Sequence, residues 1–262
     1  MNSIFIKKYW FLWNSFAVSL IIMMIATSFT LNKVPGAANG TLKIRFINTA
    51  NGKPVVLRDS VYSNVFREQY QINKLKYYIS NVSITNSNGK TNFSEDCHLI
   101  DAANEENIIE IPLQAGKYDK LKFLLGVDSI RNCSGAQTGA LDPMNGMFWT
   151  WNSGYIMFKL EGNSTASTAD LQRIEHHIGG YKGSDNVATV IQLDFNTAKN
   201  LEIKAGATTE LVIETNLDNY WHGNAAIKIA ELPMCMITGE PALKVAKNFT
   251  RLFSVKEIHQ AP

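Results

Sequence analysis

After Lys33 polar and apolar residues alternate with a period of two in segment after segment, and that pattern predicts strands. Leu42, Ile44 and Phe46 alternate with Lys43 and Arg45, as on a half-buried strand. Tyr77 to Ile84 is aromatic and β-branched and leads to an Asn88-Gly89 turn signal. Asn107 to Ile111 precedes Pro112, and Ala115-Gly116 turns the chain. Leu121, Phe123, Leu125 and Val127 resume the alternation, as do Val187, Thr189, Ile191, Leu193 and Phe195, and then Leu211, Ile213 and Thr215. Val61 to Leu75 fits neither period cleanly. Near the end, Leu243, Ala246, Phe249 and Phe253 recur at helical spacing, with Pro241 suited to a first helical turn. The predicted fold class is all-β: a single β-sandwich or open barrel-like domain with one short C-terminal helix lying on the sheet.

One polar segment, from Asp128 to Pro143, interrupts the strands. A loop of that length inside a compact domain points to function. It runs into Met144, Met147, Phe148, Trp149, Trp151 and Tyr155, with turn signals at Asp142-Pro143 and Asn145-Gly146. Sulfur beside indole suggests redox or soft-metal chemistry; the plainer alternative is core packing.

Composition narrows the setting. Lys7 and Lys8 lead into an uncharged run from Tyr9 to Asn32 with an apolar centre from Phe16 to Ala26. Residues 1–32 therefore read as a signal peptide or an N-terminal anchor, and 33–262 as the β domain. The chain is then expected in the periplasm or exported to the cell envelope, with membrane contact only if that segment is retained. Setting aside Lys7 and Lys8 from the 25 basic residues leaves 23 against 23 acidic ones, so there is no charge surplus to hold nucleic acid. Cys97, Cys133 and Cys235 show no C-x-x-C spacing; two can pair in an oxidising compartment, or all three can stay reduced.

No nucleophile elbow, phosphate-binding glycine loop, H-E-x-x-H or calcium loop is present, and the expectation is a protein that is not an enzyme. Of the five histidines, His176-His177 is the most informative pair: on a strand the two rings point to opposite faces, so only one reaches a site on the inner face. Met234-Cys235-Met236 lines up three sulfurs, soft donors that favour Cu(I), although methionine is also ordinary core filler. Trp221-His222-Gly223 is a second aromatic–imidazole pair in a turn-like setting. His176, His222 and Cys235 are carried as additional ligand candidates.

Gly146-Met-Phe-Trp-Thr-Trp-Asn-Ser-Gly-Tyr155, running on to Lys159-Leu-Glu-Gly162, resembles the MbnP-like periplasmic copper-binding proteins. His177-Ile178-Gly179 is similar to that family's His-Leu-Gly segment, and the Gly139-Ala-Leu-Asp-Pro143 run fits the loop before the tryptophans. The likeness spans roughly Thr41 to His259; Trp221-His222-Gly223 and Pro233-Met-Cys-Met236 look like features of a branch found in Bacteroidetes-type bacteria. The resemblance implies a copper ion, as Cu(I) or Cu(II), held by a histidine and by a tryptophan oxidised to kynurenine. It implies as partner a dihaem cytochrome c peroxidase-like protein of the MbnH type. The matching histidine is His177, and the matching tryptophan is Trp149 or Trp151, with Met147 close enough along the chain to stand near the site. Some relatives carry further cysteines near the histidine segment, whereas Gly179-Gly-Tyr-Lys-Gly183 has none.

These residues fit the implied chemistry. Indole nitrogen only donates a hydrogen, whereas ring-opening yields an aryl amine and a ketone, both donors. The expected function is copper acquisition or handling. The alternative is a metal-free β-sandwich interaction module of the cell envelope, with the tryptophans as core or binding surface.

Overall fold

A computed structural model describes residues 39–104, 106–150, 154–195 and 201–260. The leader expected at 1–32 and the candidate Trp151 lie outside those residues.

The strands are β1 (Asn39–Ala50), β2 (Lys53–Pro54), β3 (Val61–Ser63), β4 (Gln69–Asn86), β5 (Thr91–Asp101), β6 (Ile108–Gln114), β7 (Gly116–Leu125), β8 (Phe148–Thr150), β9 (Gly154–Asn163), β10 (Arg173–Gly179), β11 (Thr189–Asp194), β12 (Leu201–Ile203), β13 (Thr208–Asn216), β14 (Met234–Cys235) and β15 (Phe253–His259). Among the described residues four short helices accompany them: α1 (Ser129–Cys133), α2 (Asp218–Trp221), α3 (Glu240–Ala246) and α4 (Phe249–Leu252). Among the described residues no helix is long and apolar enough to cross a membrane.

Two sheets result. The smaller runs β15-β13-β1-β2, with β6 also on β1; the larger runs β11-β7-β4-β9-β10-β14, with β12 on β7, β3 and β5 on β4, and β8 on β9. Pairing is antiparallel except for β1 with β13 and β10 with β14. The alternation read from Leu42 to Phe46 is real: Leu42, Ile44 and Phe46 are buried and Lys43 and Arg45 are not. The ambiguous Val61–Leu75 stretch divides into β3 and the start of β4, which explains why it holds neither period throughout.

The core lies between the sheets and is aromatic. Tyr77 stacks on Phe158 with centroids 5.4 Å apart, and Phe158 stacks on Tyr220 at 5.1 Å. Phe123 meets Phe46 and Phe253 edge-on at 5.9 and 5.2 Å. Buried Tyr77 hydroxyl reaches across to the smaller sheet, donating to Asn48 Oδ1 at 2.9 Å and meeting Thr215 Oγ1 at 2.8 Å. Each fully buried large apolar side chain contributes about 1.5–3 kcal/mol, so this aromatic layer is a principal tie between the sheets.

The C-terminal helical pattern is interrupted. It splits into α3 and α4, and Phe253 opens β15 opposite Thr215. The break falls at buried Asn248, whose side chain donates to Tyr220 O and Ala225 O, both at 2.9 Å, and accepts from Ala225 N at 2.7 Å. A polar side chain that must satisfy a separate loop stops the apolar stripe from continuing as one helix.

Candidate functional site

The polar segment after Val127 lies on the outer face of the larger sheet, opposite the aromatic core. Asp128 caps α1 by accepting from Arg131 N at 3.0 Å, and the Arg131 guanidinium returns to the Asp128 carboxylate. Fully buried Asn132 donates to Val127 O at 2.7 Å and accepts from Tyr155 N at 2.9 Å, joining the segment to β9. Tyr155 hydroxyl donates to Leu141 O at 2.7 Å and Tyr78 hydroxyl to Ala140 O at 3.1 Å. Two short 3-10 turns follow, Gly139–Leu141 and Pro143–Asn145, and the second ends at Gly146 with φ of 70°, a left-handed conformation that suits glycine. The Asn-Gly signal in the sequence marks this turn. Its last carbonyls face lysines: Lys76 Nζ is 3.4 Å from Asn145 O, and Lys159 Nζ donates to Gly146 O.

From Gly146 the chain enters β8, which pairs with β9 through Phe148 opposite Tyr155. Met147 is fully buried, Trp149 half-buried, and Met144 stands out at the tip of the turn. The benzo edge of Trp149 lies directly over Gly179 at the end of β10. A Cβ placed on Gly179 would stand 2.8 Å from Trp149 Cζ3 and 3.1 Å from its Cη2. Only a residue without a side chain leaves room for the indole there. Gly179 is two residues beyond His177 on the same strand.

His177 is buried and lies opposite Lys159 on β9. Its Nε2 is 2.9 Å from Glu161 Oε1. Glu161 Oε2 meets Lys74 Nζ at 2.8 Å, and Lys159 Nζ is 3.6 Å from Oε1. The His177 hydrogen bond, aided by Lys74 and Lys159 and opposed by burial, holds the Glu161 carboxyl down to about 2. Burial pulls the Lys159 ammonium below its ordinary value, against the attraction of Glu161. A polar row on the outer face therefore runs from Lys74 through Glu161 to His177 and Lys159, and Lys159 binds the turn that leads to Trp149.

The two adjacent histidines do point to opposite faces, and the inner one is His176. Its Nδ1 is 2.7 Å from Tyr220 Oη and its Nε2 is 2.7 Å from Leu232 O. Burial holds it down to about 4, so it is neutral at physiological pH. Both ring nitrogens are occupied by protein. His177 lies on the outer face of β10 with Glu161, whereas Trp149 packs on Gly179 beyond the β-bulge that separates Ile178 from Gly179. Cys235 pairs across β14 with His176 and is buried, which pushes its thiol up to about 11. His222 is exposed and meets Phe66 edge-on at 5.8 Å. Neither is brought to His177 by these pairings. Cys97, Cys133 and Cys235 are all free thiols, and burial pushes Cys97 up to about 12.

Among the described residues no three His, Cys, Asp or Glu side chains converge as a ready-made metal site. The donor chemistry around His177 fits copper in part. It offers one imidazole, with a buried thioether, Met147, in the strand lead-in and an indole whose N–H cannot bind a metal. A tryptophan opened to an aryl amine would add the missing donor. Glu161, Lys159 and Gly179 were not singled out from sequence as site residues. The available signal was Lys159 and Glu161, two charges sharing one face of a strand that is otherwise buried from Gly154 to Phe158.

A comparison with curated proteins returned no match. Among solved structures the chain is similar to MbnP from Methylosinus trichosporium, with a TM-score of 0.53 and 14% identity over 78% of this chain and 87% of that one. At that identity the likeness speaks for the fold. The family model described as MbnP matches residues 39–237, which includes the loop, the tryptophan strand, Glu161 and the histidine strand, without distinguishing a branch. On that match the chain belongs to the MbnP family.

Proposed function

We propose that this is an exported copper-binding protein, acting in copper acquisition or handling without catalysing a reaction. It reaches the periplasm or cell envelope through its N-terminal segment. His177 supplies an imidazole, and Trp149 or Trp151 supplies the second donor after oxidation to kynurenine by a dihaem partner of the MbnH type. Met147 is a further sulfur donor at the edge of the site. In the modification the indole Cγ–Cδ1 bond is split and each of the two carbons gains an oxygen from water, a four-electron oxidation whose electrons pass to the dihaem partner and from it to peroxide. The Cδ1 carbon leaves by hydrolysis as formate, and the products are a ketone and an aryl amine. The observation that carries this reading is the Trp149 ring resting on Gly179, beside the strand position of His177. It supports the reading by putting an oxidisable ring against the strand that carries His177.

The test is coexpression with the dihaem enzyme followed by intact-mass measurement and Cu(I) titration. The expected mass change is one oxygen gained and one carbon lost, on a peptide containing Trp149 or Trp151. His177→Ala is expected to weaken Cu(I) binding by about 100-fold, the low end of what losing a direct ligand must exceed if loss of supporting contacts alone costs 10–100-fold. An unmodified mass together with no copper uptake would favour a metal-free envelope interaction module instead.

A further inference from the structure

The contact between His177 and Glu161 decides which imidazole nitrogen is left for a ligand. Glu161 Oε1 lies 2.9 Å from Nε2, while Oε2 meets Lys74 Nζ at 2.8 Å. A carboxylate so paired is ionised and can only accept. Nε2 therefore carries the hydrogen, and in the neutral ring the lone pair sits on Nδ1. Glu161 also faces the turn before Trp149 indirectly. Its Oε1 is 3.6 Å from Lys159 Nζ, and Lys159 donates to Gly146 O, three residues ahead of Trp149. Lys159 is buried, so its ammonium needs a counter-charge if a cation is to bind nearby.

We propose that Glu161 is the positioning residue of this site: it holds His177 as the Nε2–H tautomer so that Nδ1 is the ligating atom, and through Lys159 it keeps the Trp149 turn aligned with that ring. A carboxylate on the far nitrogen of a ligating imidazole fixes the ring plane and raises the basicity of the ligating nitrogen. Glu161 does this and also offsets the Lys159 charge that would otherwise repel a bound cation. The ligand assignment rests on the copper reading above, whereas the tautomer does not.

The experiment is nitrogen-15 NMR of the histidine rings in the metal-free chain at neutral pH, followed by Cu(I) titration of the same samples after modification. His177 is expected to show a protonated Nε2 and a bare Nδ1. In Glu161→Gln the amide can accept or donate, so mixed tautomers are expected, with Cu(I) affinity down about 10–100-fold. Glu161→Asp keeps the charge and is expected to recover part of the tautomer preference. A purely structural role would leave the tautomer ratio of the folded variants unmoved. An Nδ1–H tautomer in the unsubstituted chain overturns the proposal, as does a Glu161→Gln protein with unchanged tautomer and affinity. If Glu161→Gln does not fold, the tautomer of the unsubstituted chain decides alone. If that chain shows the Nε2–H form yet takes up no Cu(I), the copper reading fails and the hold of Glu161 on the ring stands.

Discussion

Replacing His176 by alanine is expected to destabilise the protein by about 3–5 kcal/mol, measured as the shift in a chemical unfolding midpoint. The reason is the pair of buried groups the ring satisfies. Leu232 O can only accept, so Nε2 carries the hydrogen and Nδ1 accepts from the Tyr220 hydroxyl. Alanine leaves a fully buried phenol and a carbonyl without partners, each costing about 1–3 kcal/mol, and opens a cavity beside Trp221. The same ring makes stability depend on pH. Its folded value is about 4, below the ordinary 6.5, because burial penalises the charged form. The unfolded chain therefore takes up the proton first. Stability is complete above the ordinary value and falls as pH drops from 6.5 towards 4, by about 3 kcal/mol in all. His98 is also held down by burial and adds to that slope. The Glu161 carboxyl contributes in the next window, from its ordinary 4.5 down to about 2, where protonating it removes its stabilising contacts with His177 and Lys74. His176→Ala should flatten the upper window and leave the lower one. An unchanged slope between 6.5 and 4 would show that His176 is not the buried neutral ring described here.

The period-two pattern carried the fold class because most strands in both sheets bury one face. Leu42 to Phe46 and Leu121 to Leu125 each present alternate side chains to the aromatic layer, so binary pattern and structure agree. The C-terminal stripe marked a real helix, α3, but its later members Phe249 and Phe253 belong to α4 and β15, which bury them against separate neighbours. Nothing in spacing alone reveals that Asn248 must turn inward there. The long segment from Asp128 was recognisable as a break between strands by its length and polarity, and its seat on the outer face was not. That seat depends on Tyr78 and Tyr155, whose hydroxyls bind its carbonyls from strands far apart in sequence. His177 was legible as a candidate through its resemblance to the family segment, yet its partner was hidden. Glu161 acts through β9–β10 register, which places Lys159 opposite His177, and a register is not written in either strand separately.

Gly179→Ala is the sharpest single test of whether Trp149 belongs to the site. The strand backbone at Gly179 lies outside the left-handed set of residues, so alanine introduces no backbone strain there. The added methyl instead meets the indole at 2.8 Å, and Tyr155 O at 3.1 Å. The half-buried indole can yield more readily than the strand, so the expected outcome is a folded protein with the ring displaced, destabilised by about 1–3 kcal/mol. A displacement on the order of 1 Å is enough to cost about 100-fold in a process that demands aligned reacting groups. On the proposed function, modification in the presence of a dihaem partner should therefore fall steeply, read as the fraction of chain with the altered mass, and Cu(I) affinity should fall with it. Tryptophan fluorescence of the unmodified variant reports the displacement directly, and Trp149→Phe serves as its reference. If Gly179→Ala moves the fluorescence but is modified in full and binds copper as before, Trp149 is a packing residue and the modification falls to Trp151. If Trp149→Phe also loses the altered mass while Trp151→Phe keeps it, the glycine is the space that brings an oxidisable indole onto the histidine strand.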